Sequence, residues 1–274
     1  MKKYKLLIFI VAYNHEKTIE SVINRIPRKL KNLYDLEILI IDDASNDKTF
    51  EISKKIQINQ KKNNVNVKVF YNPINQGYGG NQKIGYHYSI KNNFDFVVLL
   101  HGDGQYPPEL LNKFVPFVGS KYGLVYGFRD KSSYPEKEET PLLTYWTIKI
   151  LGSLESFVTG YKRKEWHNGF VMYSRTFLSK INLTALTDTY HIDGHIQFVA
   201  GELNEPVLDI PIWKRYEKYQ QLRGLNRLAY IFHVLSLMIR FRVLGSGQTD
   251  LGSSSVTYGY SYLPSPSDAV DEIS

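Results

Sequence analysis

The sequence predicts an α/β protein: an open, mostly parallel sheet flanked by helices on both faces, with a helical C-terminal extension. Three observations carry this prediction. Continuous apolar runs such as "KLLIFIVA" (5–12) and "LEILII" (36–41) fit central strands buried on both faces. Segments with helical spacing of apolar residues alternate with those runs, as a right-handed β-α-β arrangement requires. Finally, the polar clusters "YNHE", "DDASND" and "HGDGQ" each follow an apolar run directly. Open α/β sheets bind ligands beyond the carboxyl ends of their strands.

In order along the chain, residues 5–12 form the first strand, and "KTIESVINRIPRKLKNL" places Ile19, Val22, Ile23 and Ile26 on one helical face. A second strand at 36–41 leads into "DDASNDKTFEISKKI", a turn and an amphipathic helix. The segment "VNVKVFYN" (65–72) alternates as a third strand, "GGNQKIGYHYSIKNN" is a third helix and "FDFVVLL" (94–100) a fourth strand. Beyond Ser132 the pattern loosens into a charged loop, "KSSYPEKEETP". A helical stretch "LLTYWTIKILGSLESFVTG" and a short strand "GFVMYS" follow. The expected organisation is a main domain over 1–220, an apolar and basic helical extension over 221–245, and a flexible acidic tail rich in Ser, Gly and Tyr over 246–274.

A chain of 274 residues with 43% hydrophobic content can bury a full core, so the main domain is expected to be globular. With no cysteine, disulfides and thiolate metal sites are excluded, in keeping with a reducing, cytoplasmic setting. The N-terminus imitates a signal peptide, but its apolar run is short and ends in "YNHE", so it reads as a buried strand. No window is long enough for an ordinary transmembrane helix. The net charge of +7 favours anionic partners, although a nucleic-acid role has nothing else behind it.

The stretch "HGDGQYPPELL" carries the most chemistry. Asp103 and Gln105, at i and i+2 of an extended segment, point to one side, and a carboxylate with an amide oxygen suits Mg²⁺ or Mn²⁺. Gly102 and Gly104 leave room for a ligand to approach; the bland alternative is a Gly-rich turn with Asp103 capping the next helix. Asp42 and Asp43 can accept from a nucleobase and ribose, or could cap a helix that Ser45 or Asn46 serves equally well. The cluster "NQGYGGNQKIGY" lacks the Lys-Ser/Thr ending of a P-loop and has Gln82 at the last glycine of a dinucleotide motif, so both are rejected.

With "VAYNHE", "IIDDASND", "NQGYGGNQ" and "HGDGQYPPE" in this order, the chain resembles the family 2 glycosyltransferases of GT-A fold, over roughly residues 5–215. Within them it is similar to the branch of polyprenyl- and dolichyl-phosphate mannosyl- and glucosyltransferases. The resemblance implies a UDP- or GDP-hexose donor, Mg²⁺ or Mn²⁺ as cofactor and inversion at the anomeric carbon. Carried over by motif, Ala12, Tyr13, Asn14, Glu16, Asp42, Asp43, Gly77, Lys83, His101, Gly102 and Asp103 would surround the nucleotide sugar. Asp103 and Gln105 would hold the metal, and Asp103, Arg129, Asp193 and Arg215 would serve catalysis. Arg129 takes the place of a phosphate-meeting arginine, Arg215 of a basic residue near the acceptor, and Asp193 of a base. His101 departs from the family's Asp at the first position of the signature, which removes one negative charge beside a diphosphate.

The expected activity is hexose transfer to a polyprenyl phosphate at the cytoplasmic membrane face. Alternatives are transfer to a glycan hydroxyl in cell-surface polysaccharide synthesis, and a catalytically silent nucleotide-sugar-binding or scaffolding protein, which the His101 change motivates. Residues 223–242 read either as a peripheral membrane helix, burying Ile231, Leu235 and Ile239 in lipid, or as a structural helix packed on the body or on a second subunit, which leaves room for a homodimer. His191 and His195, at i and i+4 around Asp193, have the look of half a zinc site. No third ligand is evident from sequence, and they are read as packing residues.

Overall fold

The computed structural model describes residues 3–61, 65–130, 133, 142–215 and 224–245. The flexible tail expected at 246–274 and most of the charged loop after Ser132 lie outside them.

The strands are β1 (Lys5–Ala12), β2 (Asp35–Asp42), β3 (Asn66–Tyr71), β4 (Phe96–His101), β5 (Leu124–Arg129), β6 (Val171–Ser174) and β7 (Val207–Ile212). They form one sheet in the order β3-β2-β1-β4-β6-β5-β7. Pairs β1/β2, β1/β4, β2/β3 and β5/β7 are parallel, and β6 runs antiparallel to both neighbours. The sheet is therefore mostly parallel and open, as expected. Strand order reverses at β1, where β2 lies on one side and β4 on the other.

The helices are α1 (Ile19–Asn24), α2 (Leu30–Leu33), α3 (Thr49–Lys61), α4 (Gly77–Lys91), α5 (Leu111–Phe114), α6 (Leu142–Thr159), α7 (Arg175–Leu178), α8 (Ile192–Glu202) and α9 (Gly224–Leu244). The segment read as helical over 17–33 forms two short pieces, α1 and α2. Pro27 cannot donate to the ladder and forces its neighbour out of the helical region, so the chain turns before α2.

Alternation along β1 explains its continuous apolar run. Leu6, Ile8 and Ile10 join a core cluster with residues of α1, α3 and α5. Leu7, Phe9 and Val11 join the cluster on the other face with residues of α4, α7 and α8. Each strand residue is thus buried whichever way it points.

A third cluster sits outside the sheet and joins Leu151 of α6, Trp166, Phe198 of α8, and Val234, Leu237 and Met238 of α9. Ile231 and Leu235 pack against this cluster, whereas Leu228, Phe232 and Ile239 are exposed. The segment over 228–241 is therefore a helix docked on the body, and the face expected to meet lipid is partly the wrong one. No helix among the described residues is long and apolar enough to cross a membrane.

Candidate active site

A cavity of about 630 Å³ opens at the carboxyl ends of β1, β2 and β4, beside the point where strand order reverses. Ala12, Tyr13, Asn14, Asp43, Gly77, His101, Asp103, Gln105, Arg129 and Asp193 line it. Three strand-terminal clusters and a helix from the second half of the chain therefore meet in one place.

Turn geometry shapes the donor side. Asn14 adopts a φ of 57° and Ala44 one of 60°, so both chain reversals after β1 and β2 use left-handed backbone, which costs more at Ala44 than at Asn14. The two turns are laced together: the Asn14 amide donates to Ser45 Oγ at 2.8 Å, and the Asn46 amide to Asn14 Oδ1 at 2.8 Å. Asp47, rather than Asp42, Asp43, Ser45 or Asn46, accepts from the first amide of α3. Glu16 accepts from the Lys48 amide and does not line the cavity.

Asp42, at the end of β2, is fully buried and does not line the cavity, so it does not stand where the resemblance placed it, beside the nucleotide. Oδ1 accepts from the Ser45 amide, and Oδ2 has no hydrogen-bond partner. Burial pushes its carboxyl up to about 6. Asp43 faces the cavity and accepts from the Asn72 side chain and the Gln76 amide.

In the "HGDGQ" turn, Asp103 Oδ1 accepts from the Gln105 amide at 2.9 Å, so Asp103 does not cap the following helical turn. Gly104 has a φ of 71°, a left-handed conformation suited to glycine. Gly102 serves packing instead. A β-carbon there would lie 2.8 Å from the His15 ring, and Gly102 does not line the cavity. His101 is held neutral, because burial depresses its pKa to about 4. Its Nε2 lies 3.1 Å from the Gly169 carbonyl and 3.2 Å from the Tyr78 hydroxyl, which assigns the proton to Nε2. The neutral ring thus organises this side of the cavity without competing for a cation. A carboxylate and an amide lining one wall fit a hard divalent ion that retains water.

The remaining sequence candidates divide. Asp193, in the first turn of α8, is buried, and burial pushes its carboxyl up to about 7. Oδ2 accepts from Tyr78 at 3.1 Å, and the Gln82 side chain also stabilises the carboxylate. Arg129 ion-pairs with Glu165 and donates to the His167 carbonyl, so its guanidinium is occupied in fixing the 165–168 loop. Lys83 does not reach the cavity. Its ammonium pairs with Asp188 at 2.8 Å and donates to the Leu186 carbonyl. Arg215 stacks on Trp213 outside the cavity, and its neighbour Lys214 lines it.

Sequence reasoning missed Tyr78, Tyr106, His167, Tyr190, Lys214 and Tyr230, all of which line the cavity. Tyr78 lies inside the quoted glycine motif, yet nothing in its spacing marked it. His195 does not pair with His191: its Nδ1 accepts from the Thr187 amide, and His191 turns to His167 and Glu155.

A nucleotide-sized cavity at the switch point of a mostly parallel sheet, with an oxygen donor pair on its wall, defines a GT-A-type transferase fold. Residues 7–181 match the sequence profile of Glycosyl transferase family 2, and the chain belongs to that family. It is a glycosyltransferase. It is 28% identical, over 88% of its length and 98% of the relative's, to a UDP-N-acetylglucosamine–dolichyl-phosphate N-acetylglucosaminyltransferase of Methanococcus voltae. It is 23% identical to a dolichyl-phosphate β-glucosyltransferase of Trichomonas vaginalis, over 82% of this chain and 70% of that one. Its fold is similar to that of glucosyl-3-phosphoglycerate synthase from Mycobacterium tuberculosis, solved with Mn²⁺, UDP and phosphoglyceric acid. That match has a TM-score of 0.61 and 16% identity, and covers 87% of this chain and 78% of that one.

Proposed function

We propose that this glycosyltransferase moves a hexose from a UDP- or GDP-sugar to a polyprenyl phosphate, with inversion. The observation that carries the acceptor class is the two-sidedness of α6. Thr144, Thr147 and Ile148 line the cavity, while Leu143, Trp146, Ile150 and Phe157 of the same helix are exposed to solvent. A helix that offers two threonine hydroxyls to the cavity and a broad apolar face to solvent suits an acceptor with a phosphate head and a hydrocarbon tail. The names of the two dolichyl-phosphate relatives point the same way.

In this reading Asp43, which lines the cavity, accepts from the donor nucleoside, and Asp42 beneath it holds the turn through the Ser45 amide. Asp103 and Gln105 hold Mg²⁺ or Mn²⁺, which when bound offsets charge on the donor diphosphate. An acceptor phosphate oxygen attacks the anomeric carbon, the sugar–diphosphate bond breaks, and the nucleoside diphosphate leaves with the electron pair. Lys214 supplies positive charge on the cavity wall as negative charge redistributes. No base is required, since the attacking oxygen is already anionic.

Asp193 favours a second reading, transfer to a glycan hydroxyl. A carboxylate that lines the cavity, with a pKa raised by burial to about 7, is suited to accept the hydroxyl proton. The deciding experiment offers the purified chain a panel of nucleotide sugars with Mn²⁺ and either a short polyprenyl phosphate or an oligosaccharide. Formation of an acid-labile glycosyl-phosphate lipid, retained in Asp193→Asn, is the expected result. Transfer to the oligosaccharide alone, lost in that variant, would establish the second reading instead. Donor binding without turnover of either acceptor would leave the silent, nucleotide-sugar-binding role.

A further inference from the structure

Behind the acceptor side of the cavity, four residues from four segments close into a ring. Glu155 of α6 is fully buried, and its Oε2 lies 2.9 Å from Nε2 of His167 and its Oε1 2.7 Å from Nε2 of His191. On their far sides both imidazoles meet one hydroxyl: Tyr230 of α9 lies 2.6 Å from Nδ1 of His167 and 3.4 Å from Nδ1 of His191. The ligating atoms of Glu155, His167 and His191 all lie within 4.8 Å of one another. Both histidine side chains are at most 3% exposed.

Proton placement decides what this ring is. Were each Nε2 to carry a proton toward Glu155, both Nδ1 atoms would be acceptors facing a hydroxyl with one proton to give. Neither Glu155 oxygen and neither Nε2 atom has a partner beyond these close contacts. The first assignment strands one Nδ1, whereas the opposite assignment matches both Nδ1 atoms and gathers every unmatched group at one point. Each Nδ1–H donates to the Tyr230 oxygen, which has two lone pairs, and this leaves two imidazole lone pairs and a carboxylate converging on one point. A shared acceptor fixing the tautomer of two histidines is the outer-shell arrangement of metal sites.

We propose that Glu155, His167 and His191 bind a divalent transition-metal ion, with Zn²⁺ favoured, at a site separate from Asp103 and Gln105. Two imidazoles and one carboxylate form a three-ligand set with an open fourth position, as in sites that bind a further oxygen ligand. Ion–ligand bonds of about 2.0–2.1 Å place tetrahedral ligands roughly 3.3 Å apart, a spacing within the 4.8 Å span of the three ligating atoms. Nitrogen donors separate this site from the oxygen pair at Asp103, which suits Mg²⁺ or Mn²⁺. His167, His191 and Tyr230 line the cavity while Glu155 lies behind them, so the open position faces the cavity and takes an anionic oxygen such as phosphate. A part in positioning the acceptor rests on the transferase reading; the metal itself does not.

The test uses the full chain, stripped with a chelator and titrated with Co²⁺ in the absence of nucleotide. Tetrahedral d–d absorption should saturate at one equivalent and change on adding inorganic phosphate. Asp103→Ala should leave the absorption intact, Glu155→Gln and His167→Ala should abolish it, and Tyr230→Phe should weaken binding by about 10–100-fold. Circular dichroism reports whether each variant is folded; if Glu155→Gln is not, His167→Ala and Tyr230→Phe decide. Absence of the band in the wild-type chain overturns the proposal, as does its survival in folded His167→Ala or its loss in Asp103→Ala. An unchanged spectrum with phosphate overturns the open position.

Discussion

Tyr78 donates to Asp193 Oδ2 at 3.1 Å across 115 positions of sequence, and the same phenol oxygen lies 3.2 Å from Nε2 of His101. One hydroxyl thereby joins the residue that departs from the family signature to the buried carboxylate on α8. His101 donates to the phenol and to Gly169, so an imidazole at this position has a structural task that a carboxylate could not perform in the same way.

That relay predicts coupling between Tyr78 and Asp193. Removing the phenol from a buried carboxylate should cost about 1–3 kcal/mol of stability in Tyr78→Phe. A double-mutant cycle with Asp193→Asn should give an interaction energy of about 1 kcal/mol or more. Additive effects in thermal unfolding would show that the two do not communicate.

Asp42 should carry a stability cost that depends on pH. Its pKa is raised from the ordinary 3.8 to about 6 by burial, so the folded state binds more protons than the unfolded state between those values. Stability contributed at this position therefore falls as pH rises through that window and stays low above it. Asp42→Asn should be more stable than wild type at about pH 7, by on the order of 2 kcal/mol, and nearly equal to it at about pH 4. A variant less stable at both pH values would contradict this account.

Asp103→Ala should bind the nucleotide sugar without metal enhancement. In the wild-type chain, donor plus Mn²⁺ should raise Tm above donor alone, by linkage. If the variant keeps the full metal-dependent shift, the ion is held elsewhere.

Lys214 and Arg215 make a directed comparison. Lys214 lines the cavity, its ammonium 4.8 Å from the centre of the Tyr106 ring, whereas Arg215 stacks on Trp213 outside it. Lys214→Ala should lower kcat/KM by about 10–100-fold, equivalent to about 1.4–2.7 kcal/mol of transition-state stabilisation, and Arg215→Ala by less. The reverse ranking would restore the assignment that the sequence suggested.

Trp146, Ile150 and Phe157 of α6 are exposed, as are Phe232 and Ile239 of α9. The full chain should sediment with vesicles containing anionic lipid, and Trp146→Glu with Phe157→Glu should release it while leaving the far-ultraviolet spectrum unchanged. Equal sedimentation of the variant would place any lipid contact on another surface.

Strands β1 to β4, β6 and the site edge were legible because they depend on local periodicity, whereas β5 and β7 were not read as strands. A run such as residues 5–12 needs only the two-residue repeat of an extended chain to bury both faces, and a polar cluster after it must emerge at the strand's carboxyl end. Asp103 and Gln105 reach the cavity for that reason. Pro27 was visible too, and its effect on the first helix follows from its missing N–H. Lys83 and Arg129 match motif positions, but long side chains swing through many directions. Nearby Asp188 and Glu165 decided where they ended.

The sequence by itself determined the layered α/β architecture and the three strand-end clusters, because alternation and turn chemistry act between near neighbours. Only the tertiary structure decided that Tyr78 bridges His101 and Asp193, and that His191 joins Glu155, His167 and Tyr230 rather than His195. Those partners come from segments far apart in the chain. Their meeting is set by how α4, α6, α8 and α9 pack on the sheet and on one another, which no spacing in the sequence records.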